Sequence, residues 1–376
     1  MPCHWTSGAT KASPPSESVV NSNSTPHMLH KNTLIAGLGV LMLITMSSGC
    51  DDVLLGPEAE NTVLSNYDVF VDDFQQKYGG FPVLGIDWAS IAADRRVELE
   101  QNPTDQGLYE ALTDLIDVLD DSHVFLTPSE TAPFEDYEGG IYGRLERAGF
   151  EDFDKERALE EVEVIKNIED VIFYGTIHDS VGYLYMGGMA DDLKGYRGFL
   201  DQMMEDLANT VGMVVDIRNN SGGSDEASRL IASYFADGRH RYMVSRYKTG
   251  PGPDDFEEPR EWYVEPETEE PYHRPVSLLT NRYSVSAAET FTFAMKKFPH
   301  VLQVGDTTTG AFSEVVTRQL PNTWFYGVSV GDYRNGEDVS IERIGHVPDI
   351  LVENTPEDLA ANRDPMLDAA VEALRR

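Results

Sequence analysis

From residue 63 onward, apolar positions recur at spacings of three and four, the period of helices that bury one face. Tyr67, Phe70, Val71, Phe74 and Tyr78 mark a first helix, which Gly79-Gly80 stops. Trp88, Ile91 and Ala92 open a second, closed near Asn102-Pro103. Leu108, Ala111, Leu112, Leu115, Ile116 and Leu119 line one face of a third, which begins after Thr104 and Asp105 and runs into Asp120-Asp121-Ser122-His123. Residues 124–168 are mixed, charged and resolve into no element. Beyond them the pattern changes to short apolar runs alternating with helices. The runs 171–176 and 181–186 predict a hairpin, followed by a helix at 191–209, a buried strand at 213–217, a helix at 224–236 and a strand at 241–248. Residues 249–274 read as a Pro/Glu-rich loop, longer than a connection requires. A strand at 276–280, a helix at 286–298 and strands at 301–304, 314–320 and 324–333 come next. Asn335-Gly336 suits a tight hairpin, and a helix at 364–375 closes the pattern. The order predicts an α/β protein: an N-terminal helical domain at 63–125, a connecting segment at 126–169 and an α/β core at 170–376.

The thirteen residues Leu34 to Met46 are apolar, too few for a comfortable membrane span. His30 and Lys31 precede them, and Ser47, Ser48, Gly49 and Cys50 follow. A short basic region, an apolar stretch and small residues read as a secretory signal. Cys50 looks like the acylated first residue of a bacterial lipoprotein, although Ser47 stands where that pattern usually carries Leu. Met28 would give a leader of ordinary length. The expectation is therefore a leader and signal at 1–49, lipidated Cys50, an acidic linker to residue 62, and an extracytoplasmic body touching the membrane only through its anchor.

Composition narrows the classes. Twenty-nine basic against 65 acidic residues give a net charge of −36, which repels phosphate backbones and disfavours nucleic acid as a partner. Only 9 of the basic residues are Lys; this composition suits high salt, where self-repulsion is screened. Two cysteines, Cys3 and Cys50, cannot make a disulfide framework, and neither Cys-x-x-Cys nor His-Glu-x-x-His occurs, so no metal is expected.

Four segments could carry chemistry, and each has a plain structural reading beside the functional one. Asp216-Ile217-Arg218-Asn219-Asn220-Ser221-Gly222-Gly223 ends a strand ahead of a helix. Its amides could meet an oxyanion, or simply make a turn. Ser286 opens a helix, where a hydroxyl sits in positive potential; with Glu289 three residues on it equally reads as a capping box. His123, after Ser122 at a helix end, is a general-base candidate or a partner of the helix dipole. Glu342 beside Arg343 is a further acid or half of a surface ion pair.

In this order the segments resemble the serine peptidase family of carboxy-terminal processing proteases and tricorn-type core proteases. The resemblance rests on Asp-Ser-His, Asp-Ile-Arg-Asn-Asn-Ser-Gly-Gly, Ser-Val-Ser-Ala-Ala-Glu, Val-Gly-Asp-Thr-Thr-Thr-Gly, Glu342 through Pro348-Asp349, and Arg363-Asp364-Pro365 with Leu367. It covers roughly residues 63–375. It implies a crotonase-like spiral of ββα units and a serine endopeptidase acting on unfolded or flexible polypeptides, without a cofactor. Ala311 stands where one branch carries a catalytic Lys, so a Ser–Lys dyad is not expected. The tricorn-like branch implies a tetrad instead. Ser286 would be the nucleophile and His123 the base, Ser122 and Glu342 would orient the imidazole, and the amides of Ala287 and of Gly222 or Gly223 would bind the oxyanion. The 47 residues between His123 and Val171 are too few for the peptide-binding PDZ module many members insert there. A non-catalytic binding lipoprotein on the same fold is the alternative. An α/β-hydrolase esterase lacks its Gly-x-Ser-x-Gly here.

Overall fold

The computed structural model describes residues 60–375 apart from 169, 170 and 179. Cys50, the leader and the start of the linker lie outside the described residues. Three long helices, Val63–Lys77, Trp88–Gln101 and Asp105–Leu119, open the described chain, with the single turn Phe81–Leu84 between the first two. Each long helix is capped by a side chain that accepts a first-turn amide: Thr62 from Ser65, Asp87 from Ser90, Thr104 from Gly107. Their apolar faces meet as the spacing predicts, with Phe70, Phe74, Leu112, Leu115 and Ile116 fully buried. The third helix ends at Asp120 in the left-handed conformation (φ 49°), which turns the chain sharply into Ser122-His123.

The segment that the sequence left unassigned holds β1 (Phe125–Thr127), β2 (Tyr137–Glu138), the helices Gly140–Ala148 and Lys155–Leu159, and β3 (Glu163–Ile168). Strands β4 (Ile172–Ile177) and β5 (Val181–Met186) form the expected hairpin. Then come the helix Leu193–Asp206, β6 (Gly212–Asp216), the helix Asp225–Ser233, β7 (His240–Tyr247), β8 (Arg260–Val264), β9 (Val276–Thr280), the helix Ala287–Met295 and β10 (Val301–Gly305). The chain continues through β11 (Val315–Gln319), β12 (Phe325–Ser329), β13 (Gly331–Asn335), β14 (Ile350–Leu351) and the helices Pro356–Ala360 and Pro365–Ala373.

Seven strands form one sheet in the order β14-β10-β9-β6-β5-β4-β3. The run from β5 to β14 is parallel, and β3, β4 and β5 pair antiparallel. One face packs on the helices Leu193–Asp206, Asp225–Ser233 and Ala287–Met295, the other on Pro365–Ala373. Burial on both sides explains why β6 and β9 read as unbroken apolar runs. A four-stranded sheet, β11-β12-β1-β2, shares its core with the N-terminal helices through Leu320, Trp324, Tyr326 and Val328.

Three local expectations differ. The 249–274 loop contains β8, which pairs antiparallel with β7 and buries Trp262 and Val264. The run 324–333 is two strands, because the chain leaves one sheet after Ser329 and enters another at Gly331. Asn335-Gly336 makes a turn in which Asn335 Oδ1 accepts the amides of Glu337 and Val339, but no returning strand follows to complete a hairpin.

Candidate active site

Three adjacent parallel strands, β6, β9 and β10, deliver their following loops to one edge of the large sheet, the end at which parallel α/β sheets place ligands. The loop after β6 is anchored by Arg218, which is fully buried. It meets Asp216 at 2.7 Å and Asp364 at 2.8 Å, with Phe153 against its guanidinium at 4.2 Å. Tyr183 donates its hydroxyl to the same Asp216 at 2.7 Å. Asn220 then donates to the Met186 carbonyl at 2.7 Å and accepts the Gly222 amide at 2.8 Å. The loop after β9 is tied to it: Ser284 Oγ donates to the Ile217 carbonyl, and the Val285 amide to that of Asn220. The Ser286 amide donates to the Ala311 carbonyl on the third loop at 3.0 Å.

Ser286 is therefore held from both sides, in a conformation L-residues rarely adopt (φ 64°, ψ −122°). It occupies the cap position of its helix, yet its side chain makes no capping hydrogen bond, so the capping-box reading fails on the serine side. The hydroxyl of this half-buried residue is left to other chemistry. Gly222 lies directly against it: a Cβ there would sit 2.6 Å from Ser286 Cβ and 2.9 Å from the Ala287 amide nitrogen. Only glycine fits so close, and its φ of 83° asks for glycine as well. The two glycines differ in availability. The Gly222 amide is taken by Asn220, whereas Gly223 is exposed. Ala287 begins the helix, where amides lack an acceptor within the helix itself.

The other sequence-predicted residues come to neighbouring turns. The His123 amide donates to Asp121 Oδ1 at 2.8 Å, and its Nδ1 is buried without a hydrogen-bond partner. Burial pushes the imidazole pKa down, and the Asp121 carboxylate partly opposes that. Ser122 Oγ accepts the Tyr142 amide at 3.2 Å. Tyr142 packs edge-on against Tyr283, ring centroids 5.2 Å apart, and so connects the Ser122 turn to the segment leading into Ser286. Glu342 is buried and accepts the Phe312 amide at 3.3 Å, one residue beyond the carbonyl that holds Ser286. Burial raises its pKa well above the carboxylate range, and the nearby Asp121 and Glu289 carboxyls push the same way. Tyr78, at the end of the first helix, is within electrostatic reach of both Asp121 and Glu342. Glu342 is thus linked through Phe312 and Ala311 to the Ser286 loop and lies within electrostatic reach of Asp121, beside Ser122-His123. Among the described hydrogen bonds, none joins Ser286 Oγ to His123, or His123 to Ser122.

Ala311, at the dyad-lysine position, is buried, and its carbonyl supports Ser286. Lys296 sits at the far end of the Ala287–Met295 helix, held by Gln303, the Val347 carbonyl and Asp349. Sequence reasoning did not single out Tyr142, Asp121 or Asn220. Asp121 and Asn220 lie inside motifs that were noticed, while Tyr142 falls in the stretch without periodicity.

A largely parallel sheet with a strained serine at a helix N-terminus, directly against a glycine loop, is an arrangement suited to nucleophilic chemistry. Residues 180–352 match the family model described as peptidase family S41. A tricorn protease from Thermoplasma volcanium is 26% identical over 194 residues, which is 51% of this chain and 17% of that relative; the chain spans about a sixth of the relative's length. A solved candidate peptidase from Parabacteroides merdae superposes with a TM-score of 0.73 at 26% identity, over 84% of this chain and 98% of that one. A photosystem II D1 C-terminal processing protease shares the fold, with a TM-score of 0.50 at 16% identity over 78% of this chain and 94% of its own. The match to peptidase family S41 lies in residues 180–352, the stretch that holds the Gly222-Gly223 loop, Ser286 and Glu342.

Proposed function

We propose that the protein is a serine endopeptidase that hydrolyses peptide bonds of unfolded or flexible polypeptides through an acyl-enzyme. Ser286 Oγ attacks the scissile carbonyl as His123 takes its proton, and His123 then gives that proton to the leaving amine. Water, activated by the same imidazole, releases the acyl group and restores the serine. The amides of Gly223 and Ala287 serve the oxyanion; each such donor is worth about 3 kcal/mol in the transition state. Ser122 and Glu342 orient the imidazole. Glu342, pushed toward its neutral form, acts there as a hydrogen-bonding group more than as a charge. The base must swing onto Ser286 when substrate binds, since catalytic hydrogen bonds often tighten only in the complex.

One observation carries this reading: Ser286 stands in a strained backbone conformation at a helix N-terminus with its hydroxyl uncommitted, directly against Gly222. The test is digestion of an unfolded protein by residues 51–376, with cuts mapped by mass spectrometry, beside S286A and H123A. Cleavage by the wild type alone supports the tetrad. Equal cleavage by all three removes Ser286 as nucleophile. No cleavage by any variant favours a binding lipoprotein.

The same proposal places the body outside the cytoplasm on a lipid attached to Cys50, with no other membrane contact. The basic-apolar-small pattern ending at Cys50 supports it. In cells fed a labelled fatty acid, the full chain should take up label and C50A should not. Label on both would refute the assignment.

A further inference from the structure

Glu289 lies one helical turn beyond Ser286 and is completely buried. A carboxyl serving only its own helix would bond to amides of that first turn. Besides the Ser286 amide, which acts on it from its own helix, this one reaches across to the loop after β10. Its Oε1 accepts the Gly310 amide at 2.8 Å and the Thr308 hydroxyl at 2.5 Å, and its Oε2 accepts the Ala311 amide at 2.7 Å. Thr308 Oγ1 accepts the His346 amide in turn, and a His346 ring nitrogen bonds to the Glu289 carbonyl. On the other side of the same loop, Glu342 accepts the Phe312 amide. Three consecutive amides, those of residues 310, 311 and 312, are thus held by two buried carboxyls. Between them the Ala311 carbonyl accepts the Ser286 amide.

We infer that Glu289 is a positioning residue for the nucleophile: by gripping the peptide on either side of Gly310 it fixes the Ala311 carbonyl, and through it the backbone of Ser286 and the direction of the Ala287 amide. The inference rests on Ser286 acting as the nucleophile. Burial raises the Glu289 pKa to about 8 while the donors around it favour the carboxylate; in the geometry seen, both of its oxygens meet donors. A carboxylate satisfies the Gly310, Ala311 and Thr308 donors together, whereas a glutamine in the same space must turn its NH2 against one of them, whichever way the amide is flipped. A buried donor left facing another donor moves away, and the peptide that holds Ser286 moves with it.

The test compares E289Q with T308V. T308V removes a donor to the same carboxyl without touching the Ala311 peptide, so it reports the purely structural cost of loosening this cluster. Both should lower the melting temperature. E289Q should also lower kcat for Ser286-dependent cleavage by about 10- to 100-fold with KM nearly unchanged, as expected when reacting groups are misaligned. T308V should keep kcat within about threefold, well short of that loss. Equal losses of kcat in both variants, or wild-type kcat in E289Q, would overturn the inference. Should E289Q not fold, E289D, which keeps the charge but draws it back by one methylene, is judged by the same criteria. Hydrogen exchange gives a readout free of activity: the amides of residues 310, 311 and 286 should exchange faster in E289Q than in the wild type. If the wild type shows no Ser286-dependent cleavage, the protease reading fails by itself, and exchange alone decides whether Glu289 sets this backbone. Unchanged exchange would then overturn the inference.

Discussion

His123 carries opposite influences in a small space. Loss of water around the ring favours the neutral imidazole, and Asp121 beside it favours the charged one; burial is the larger effect. A base whose pKa is lowered stays neutral, and competent, to lower pH. The acid limb of kcat/KM should therefore inflect below the ordinary histidine value of about 6.5. D121N keeps an oxygen for the His123 amide but removes the opposing charge, so it should shift that limb further toward acid. A limb at or above about 6.5, or a D121N limb displaced toward alkali, would contradict this assignment of the base. Some of the site was legible at this scale and some was not. Ser286, Gly222 and Gly223 announce themselves by residue type, since a turn between strand and helix with close backbone approach asks for small residues. Glu289 did not: three residues after a serine it reads as a cap, and its real partners, Gly310 and Ala311, are more than twenty residues away. Spacing along the chain reports neighbours within a helix and is silent about such partners.

Among elements, those that bury a continuous face were legible, because burial imposes a period on the sequence. The three N-terminal helices and the two-sided strands β6 and β9 belong to that group. β8 was hidden because its two buried side chains, Trp262 and Val264, stand among Glu and Pro, and its partner β7 is what makes the alternation meaningful. The split of 324–333 was hidden for a related reason: both halves alternate alike, and only the third dimension sends them to different sheets. The joint between β6 and the Pro365–Ala373 helix has a measurable weight. Arg218→Met leaves the Asp216 carboxylate buried with its cation gone, for which a loss of about 3–5 kcal/mol is expected. Denaturant unfolding should show the midpoint fall accordingly. A change within about 0.5 kcal/mol would mean that the pair does not hold the loop.

For the whole molecule, charge of one sign is the dominant electrostatic fact. Most of the described ion pairs have an exposed partner and contribute little, so salt weakens a small favourable contribution while screening the larger self-repulsion of a −36 chain. The melting temperature of residues 51–376 should rise between low and molar salt. A flat or falling response would remove the proposed salt adaptation. The Arg218–Asp364 contact also bears on the order of events during synthesis. Its partners are separated by 146 residues, so the guanidinium emerging after β6 lacks one of its two carboxylates until that stretch of chain has been made. The glycine loop beside Ser286 follows directly after that guanidinium. A nascent chain would carry Ser286 before Asp364, the second carboxylate that Arg218 needs, has been made.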